Sequence, residues 1–166
     1  MCIRDRDLAW LDTERPQLAT EPVQVLSIWE ALRQDACFES AWDAERLPCL
    51  LDAECRVQVH LDSIAQALEN LLRNAIRYSP AGGRVSLRGW REGAYWHLCL
   101  EDQGPGVAEQ DLQRIFQPYQ RLDSAQGDGF GLGLAIARRA VELHQGRIWA
   151  SNGHPGLCMH LLLPAA

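Results

Sequence analysis

Three stretches of this chain repeat their apolar residues at steps of three and four, and six shorter ones are apolar or alternate. From Val23 to about Phe38, Val25, Ile28, Trp29, Leu32 and Ala36 fall on one stripe, which predicts an amphipathic surface helix. Behind Asp62, a suitable N-cap, Ile64, Ala67, Leu68, Leu71, Ala75 and Ile76 recur in the same way until Pro80 stops the helix. A third helix is expected from about Gly131 to Leu143, with Gly146 just past its end as a C-cap. "RLPCLL" and "CRVQVH" read as short strands, the first weakened by Pro48. "RVSLRGW" and "YWHLCLED" alternate on either side of "REGA", the mark of an antiparallel hairpin. "RIWAS" and "LCMHLLL", joined by "NGHPG", close the sheet, and a short helix is expected near 109–115. Leu8 and Leu11 suit the last turns of a helix ended by Pro16, with a polar link running on to Pro22. Helices and hairpins mixed in this order imply an α/β fold in which helices cover one face of a sheet.

At 166 residues the chain is the size of one ordinary domain, long enough to bury a core without disulfide or metal staples. A formal charge of -6 argues against a nucleic-acid surface, so no nucleic acid is expected as a partner. All 16 basic residues are arginines. No apolar run reaches membrane-spanning length, so the chain itself is not expected to insert in a membrane. The six cysteines contain no Cys-x-x-Cys pair and the five histidines are not at zinc spacing from them, which reads as reduced core or surface thiols.

Chemistry concentrates at four places. In "GDGFGLGLAI", Gly127, Gly129, Gly131 and Gly133 precede an apolar helix. Free N–H groups and the positive end of a helix dipole favour phosphate there, and a flexible glycine linker is the competing reading. A dinucleotide fingerprint fails, because Leu132, Leu134 and Ile136 stand where its further glycine would be. The P-loop and protein-kinase signatures fail for want of a lysine. Asn70 and Asn74 lie four apart on the Asp62 helix, with Tyr78 four further on, so their side chains share a stripe. Asparagine inside a helix costs propensity, which points to partners outside it. Asp102 ends a strand before Gly104 and Gly106, where a carboxylate can accept from an exocyclic amine or cap the next turn. "RIFQPYQR" offers Ile115, Phe116 and Tyr119 as apolar anchors and Arg121 as a charge beside a polar stretch that is expected to be mobile.

Taken in order, "ENLLRNAIRYS", "EDQGPGV", "RIFQPYQR" and "GDGFGLGLAI" resemble the N, G1, F and G2 boxes of the ATP-binding catalytic domain of sensor histidine kinases, within the group that includes gyrase-type and heat-shock-type ATPases. The resemblance covers roughly residues 20–164. It implies a Bergerat-type two-layer α/β sandwich: a mixed, mostly antiparallel sheet with helices on one face. It also implies ATP and Mg2+ as ligands. Asn74 would bind the metal with Asn70 beside it, Arg77 would face phosphate, and Tyr78 would pack against adenine. Asp102 would read the adenine amine beside a wall shaped by Gly104 and Gly106. Gly129, Gly131, Leu132 and Gly133 would lead a lid into the helix under the triphosphate, and Arg121 would reach the γ-phosphate.

The related ATPases carry a water-activating glutamate where this chain has Asn70, so direct hydrolysis is not the expected chemistry. In the family the nucleophile is a histidine on a separate dimerisation domain, followed by an acidic residue and a proline. None of His60, His97, His144, His154 or His160 has that setting. Residues 1–19 are therefore expected to be the tail of that dimerisation and phosphoacceptor domain, and 20–166 the catalytic domain. The expected partners are the dimerisation and histidine-phosphotransfer domain of the same full-length kinase and a response regulator. The expected location is the cytoplasmic portion of an inner-membrane sensor kinase. Tyr119 and Gln120 replace the more usual Phe-Tyr of the F box. An anti-sigma-factor-type serine/threonine kinase, or a degenerate nucleotide-binding interaction module, is the alternative.

Overall fold

Residues 18–119 and 132–166 are described by a computed structural model; the expected helix remnant around Leu8 and Leu11 and the glycines at 127, 129 and 131 lie outside them. In chain order the elements are β1 (Glu21–Gln24), α1 (Val25–Ser40), β2 (Cys49–Leu50), β3 (Arg56–Val59), α2 (Leu61–Tyr78), β4 (Ser86–Glu92), β5 (Tyr95–Glu101), α3 (Gly133–Leu143), β6 (Arg147–Asn152) and β7 (Leu157–Pro164). Short 3-10 turns occupy Ala44–Arg46, Glu109–Asp111 and Arg114–Phe116, the last two replacing the single short helix expected near 109–115.

Five strands form one sheet in the order β2-β4-β5-β7-β6, with β2 parallel to β4 and the other pairings antiparallel. Directly opposed residues share a face of a sheet. On the inner face this brings Leu87, Leu100 and Met159 into one row and Leu98, Leu161 and Ile148 into another, with Trp96 opposite Leu163. The helices bury these rows. The expected stripe of α1 is the one buried, Val25, Ile28, Trp29, Leu32 and Ala36. On α2, Ile64, Ala67, Leu68, Leu71 and Ala75 are buried and Ile76 is half-buried against the core. Each Leu- or Ile-sized side chain so placed stabilises the fold by about 1.5–3 kcal/mol relative to exposure.

Four expectations are corrected. Helix α1 starts at Val25, because Glu21–Gln24 form a strand paired antiparallel with β3, from Glu21 opposite Val59 to Gln24 opposite Arg56. That pairing is non-local, and "EPVQ" does not announce it. The N-cap of α2 is His60, whose Nδ1 accepts from the Ser63 N–H at 3.4 Å and lies 2.9 Å from Ser63 Oγ. Asp62 sits in the first turn, where its charge complements the helix dipole. Helix α3 begins at Gly133, and the left-handed residue after it is Gln145 (φ 58°); the Gly146 N–H closes the end onto the Val141 carbonyl at 3.0 Å. Tyr119 is no anchor: it is 60% exposed with φ 64°, because the chain turns outward after the 3-10 turn that buries Ile115 and Phe116.

Candidate functional site

Helices α2 and α3 pack against each other over buried apolar residues, and polar links tie them as well. Asn70, only 5% exposed, donates from Nδ2 to the Gly133 carbonyl at 3.2 Å, so the middle of α2 is tied to the first residue of α3. At the far ends of the pair, His144 Nε2 accepts from the His60 backbone N–H at 2.9 Å, while Nδ1 lies 2.6 Å from the Ala140 carbonyl. The carbonyl can only accept, so the proton sits on Nδ1 and Nε2 must be bare. Burial lowers the pKa of His144, which keeps that neutral form.

Helix α3 enters through Leu132, a buried residue whose side chain cannot accept the free N–H groups of the first turn, and no acidic residue lies in that turn. The positive end of its dipole is thus uncompensated by its own first turn, next to the amide stripe of α2. Asn74 is half-buried one turn along from Asn70, Tyr78 is half-buried at the end of α2, and Arg77 is exposed. Glu69 lies on another face and pairs with Arg73 at 2.8 Å. No carboxylate of α2 therefore stands beside Asn74 in the way a water-activating base would.

Asp102 follows β5 and is 6% exposed. Its Oδ1 accepts from two backbone N–H groups, Gly104 at 2.9 Å and Leu157 at 3.2 Å. Burial raises its pKa, and these two donors pull it back. Both sequence readings of Asp102 are thus compatible: one oxygen caps the turn, and among the described residues the other has no hydrogen-bond partner. The glycines make the geometry possible. A Cβ on Gly104 would lie 2.5 Å from the Tyr78 carbonyl oxygen, so only glycine lets this loop cross the end of α2. Gly106 adopts φ 73°, and the next residue, Val107, is held by Asn152, which accepts from its N–H at 2.9 Å and donates to its carbonyl at 2.6 Å.

Asn70, Asn74, Tyr78, Asp102, Gly104 and Gly133 therefore converge on the α2–α3 side of the sheet. Gly129, Gly131 and Arg121 lie outside the described residues. Sequence reasoning missed three supporting residues. Gly156 (φ 96°) would put a Cβ 1.8 Å from the Asp102 carbonyl oxygen; Leu157 supplies the second N–H to Oδ1; Asn152 clamps the loop. The "PG" at 155–156 was the available signal, and it reads as a plain turn.

Residues 60–166 match the family described as histidine kinase-, DNA gyrase B-, and HSP90-like ATPase. The chain belongs to this family of ATPases. Over 160 residues it is 74% identical to the sensor protein PfeS of Pseudomonas aeruginosa, an alignment that takes in 96% of the chain and 36% of that protein. The chain thus spans about a third of the length of that relative. Among solved structures it superposes on the mycobacterial sensor histidine kinase MprB with a TM-score of 0.75 and 27% identity over 88% of this chain and 97% of that one. The Acinetobacter baumannii histidine kinase AdeS gives a TM-score of 0.76 and 27% identity over 96% and 74%. The family carries ATP use with it, and the two-layer fold and the direction of the sheet agree with the expectation from the four boxes. No helix of the described residues is long and apolar enough to cross a membrane.

Proposed function

We propose that this chain is the catalytic domain of a sensor histidine kinase, binding ATP between the amide stripe of α2 and the entry of α3 and passing the γ-phosphate to a histidine on a dimerisation domain outside it. The observation that carries this is the start of α3, where Leu132 offers no capping side chain, beside Asn70 and one turn of α2 from Asn74, with a buried carboxylate, Asp102, at the far end of α2. Phosphate suits the first and an exocyclic amine suits the second. Those two chemistries are the ones that the two ends of a nucleotide require.

Residue by residue, Asp102 accepts from the adenine amine, Tyr78 packs on the base, and Gly104 and Gly106 let backbone approach it. Arg77 and Arg121 face phosphate; Gly129, Gly131, Leu132 and Gly133 lead into the helix beneath it. Asn74 offers a half-buried amide oxygen, a donor fit for a hard cation that is commonly held by one or two protein oxygens plus substrate phosphates. Mg2+ held there would neutralise phosphate charge. In the transfer, an imidazole nitrogen of the acceptor histidine attacks the γ-phosphorus, the bond to the β–γ bridging oxygen breaks, and ADP leaves with the electron pair. Asn70 in place of a general base disfavours water as the nucleophile. From the histidine the phosphoryl group goes to a response-regulator aspartate, on the cytoplasmic side of the membrane.

The test is to incubate the chain with γ-labelled ATP and Mg2+, alone and with the separately purified dimerisation domain. Label should appear on that domain only when both are present, and Asn74→Asp should weaken Mg2+-dependent binding. Label accumulating on this chain itself, or release of free phosphate with none on the domain, would overturn the assignment.

A further inference from the structure

The outer face of the sheet, turned away from α2 and α3, carries chemistry that the nucleotide site does not use. The strand registers place Arg88, Cys99, His160 and Trp149 in one row across β4, β5, β7 and β6, and Ser86, Glu101, Cys158 and Ser151 in the next. Adjacent rows bring Cys99 and Cys158 together diagonally, although 59 positions of sequence separate them. The Sγ atoms of Cys99 and Cys158 and a ring nitrogen of His160 all lie within 4.8 Å of one another.

We propose that Cys99, Cys158 and His160 bind a thiophilic d10 cation, of which Zn2+ is the representative, on the outer face of the sheet. Two sulfurs and one imidazole are the donor set such ions select, and a hard cation such as Mg2+ does not compete for it. With metal–ligand bonds of about 2.0–2.3 Å, the edges of a tetrahedral site are about 3.5 Å, so atoms within 4.8 Å of one another need to close by at most about 1.3 Å, within reach of side-chain rotation. The backbone that carries them is regular antiparallel strand and does not have to move. Three protein ligands leave a fourth position for water.

The surroundings are those of a supported metal ligand. His160 is held at both ring nitrogens, Nδ1 lying 3.0 Å from His97 Nε2 and Nε2 lying 2.8 Å from Ser151 Oγ. Whichever nitrogen takes the ion, the other keeps a partner that fixes the ring. Trp149 stacks on His160 with centroids 5.0 Å apart and planes 7° from parallel, covering one side of the ring. The Cys99 thiol donates to Glu101 Oε1 at 3.7 Å, which sets a carboxylate beside the site, itself paired with Arg88. Cys99 is buried, but Cys158 and His160 are half-buried and open a way in from solvent. Binding releases the two thiol protons to water, so that a divalent ion and two thiolates are mutually neutral. The clip would join β5 to β7 just before Asp102 and beside Leu157.

The probe is Co2+, titrated into the reduced chain without nucleotide and followed by absorbance, then displaced with Zn2+. One equivalent should bind with a thiolate-to-cobalt charge-transfer band, be displaced by Zn2+ and resist Mg2+. Cys158→Ser and His160→Gln, at half-buried positions, should each weaken binding by about ten- to a hundredfold, as loss of a ligand or its support does; Cys37→Ser, on α1, should not. Zn2+ should raise Tm in the wild type and not in Cys158→Ser. Absence of a thiolate band, or equal Co2+ binding by wild type, Cys158→Ser and His160→Gln, would overturn the site.

Discussion

Replacing Asp102 by asparagine separates the two jobs its carboxyl group performs. Oδ1 is occupied by the N–H groups of Gly104 and Leu157, and an asparagine of the same shape can keep its amide oxygen there. The second oxygen then becomes an NH2 group, aimed where the adenine amine is proposed to lie. A donor faces a donor. The loss comprises a hydrogen bond to a charged acceptor, about 1.5–3 kcal/mol, together with an unsatisfied buried donor. At 1.4 kcal/mol per tenfold, the hydrogen bond alone lowers ATP affinity about 10- to 150-fold, and the unsatisfied donor adds to that, so the fall should be at least about tenfold. Guanine carries a carbonyl oxygen where adenine carries its amine, so the same NH2 group meets an acceptor in GTP, and the ratio of ATP to GTP affinity should narrow further from the GTP side. Folding stability should hold or rise, because burial already pushes the Asp102 pKa up and a neutral amide removes the cost of desolvating that charge. Calorimetric titration with both nucleotides, beside a urea melt, reads all three quantities. Unchanged ATP affinity and unchanged discrimination in a variant of wild-type stability would refute the assignment of Asp102 to the base.

Two stability predictions follow from the same loop and from the helix pair. Gly156→Ala forces a side chain onto a φ of 96° and a Cβ to within 1.8 Å of the Asp102 carbonyl oxygen, so it should cost about 2–5 kcal/mol from backbone strain plus overpacking; a loss below about 1 kcal/mol by urea denaturation would show that the loop yields. His144 has a lowered folded pKa, so its contribution is complete above the unfolded value near pH 6.5 and declines as pH falls through that value toward the folded one, where protonating Nε2 would set it against the His60 N–H. Stability should therefore decline as pH falls below about 6.5, with a slope of up to about 1.4 kcal/mol per pH unit from this group, and His144→Gln should flatten that slope; equal slopes would count against it.

Local rules made the helices legible. A 3.6-residue repeat names the buried face of α1 without reference to anything it touches, and Pro80 or a pair such as Gly93 and Ala94 ends an element by its own backbone preference. The spacing of Asn70, Asn74 and Tyr78, and the position of Asp102 at the end of a strand, are likewise local, so the candidate nucleotide residues could be named in advance. What the sequence could not state was which distant segments meet. β1 exists only because β3 lies beside it, and "EPVQ" has no alternation of its own to declare it. His60 and Asp62 both can cap α2, and the path of the chain leaving β3 decides between them. Gly156 matters because β7 begins against Asp102, and Cys99 meets Cys158 and His160 only through the register of β5 on β7. Periodicity is a property of neighbours along the chain, whereas register is settled by the summed packing of a whole sheet face, and that sum is first defined when the strands are in place.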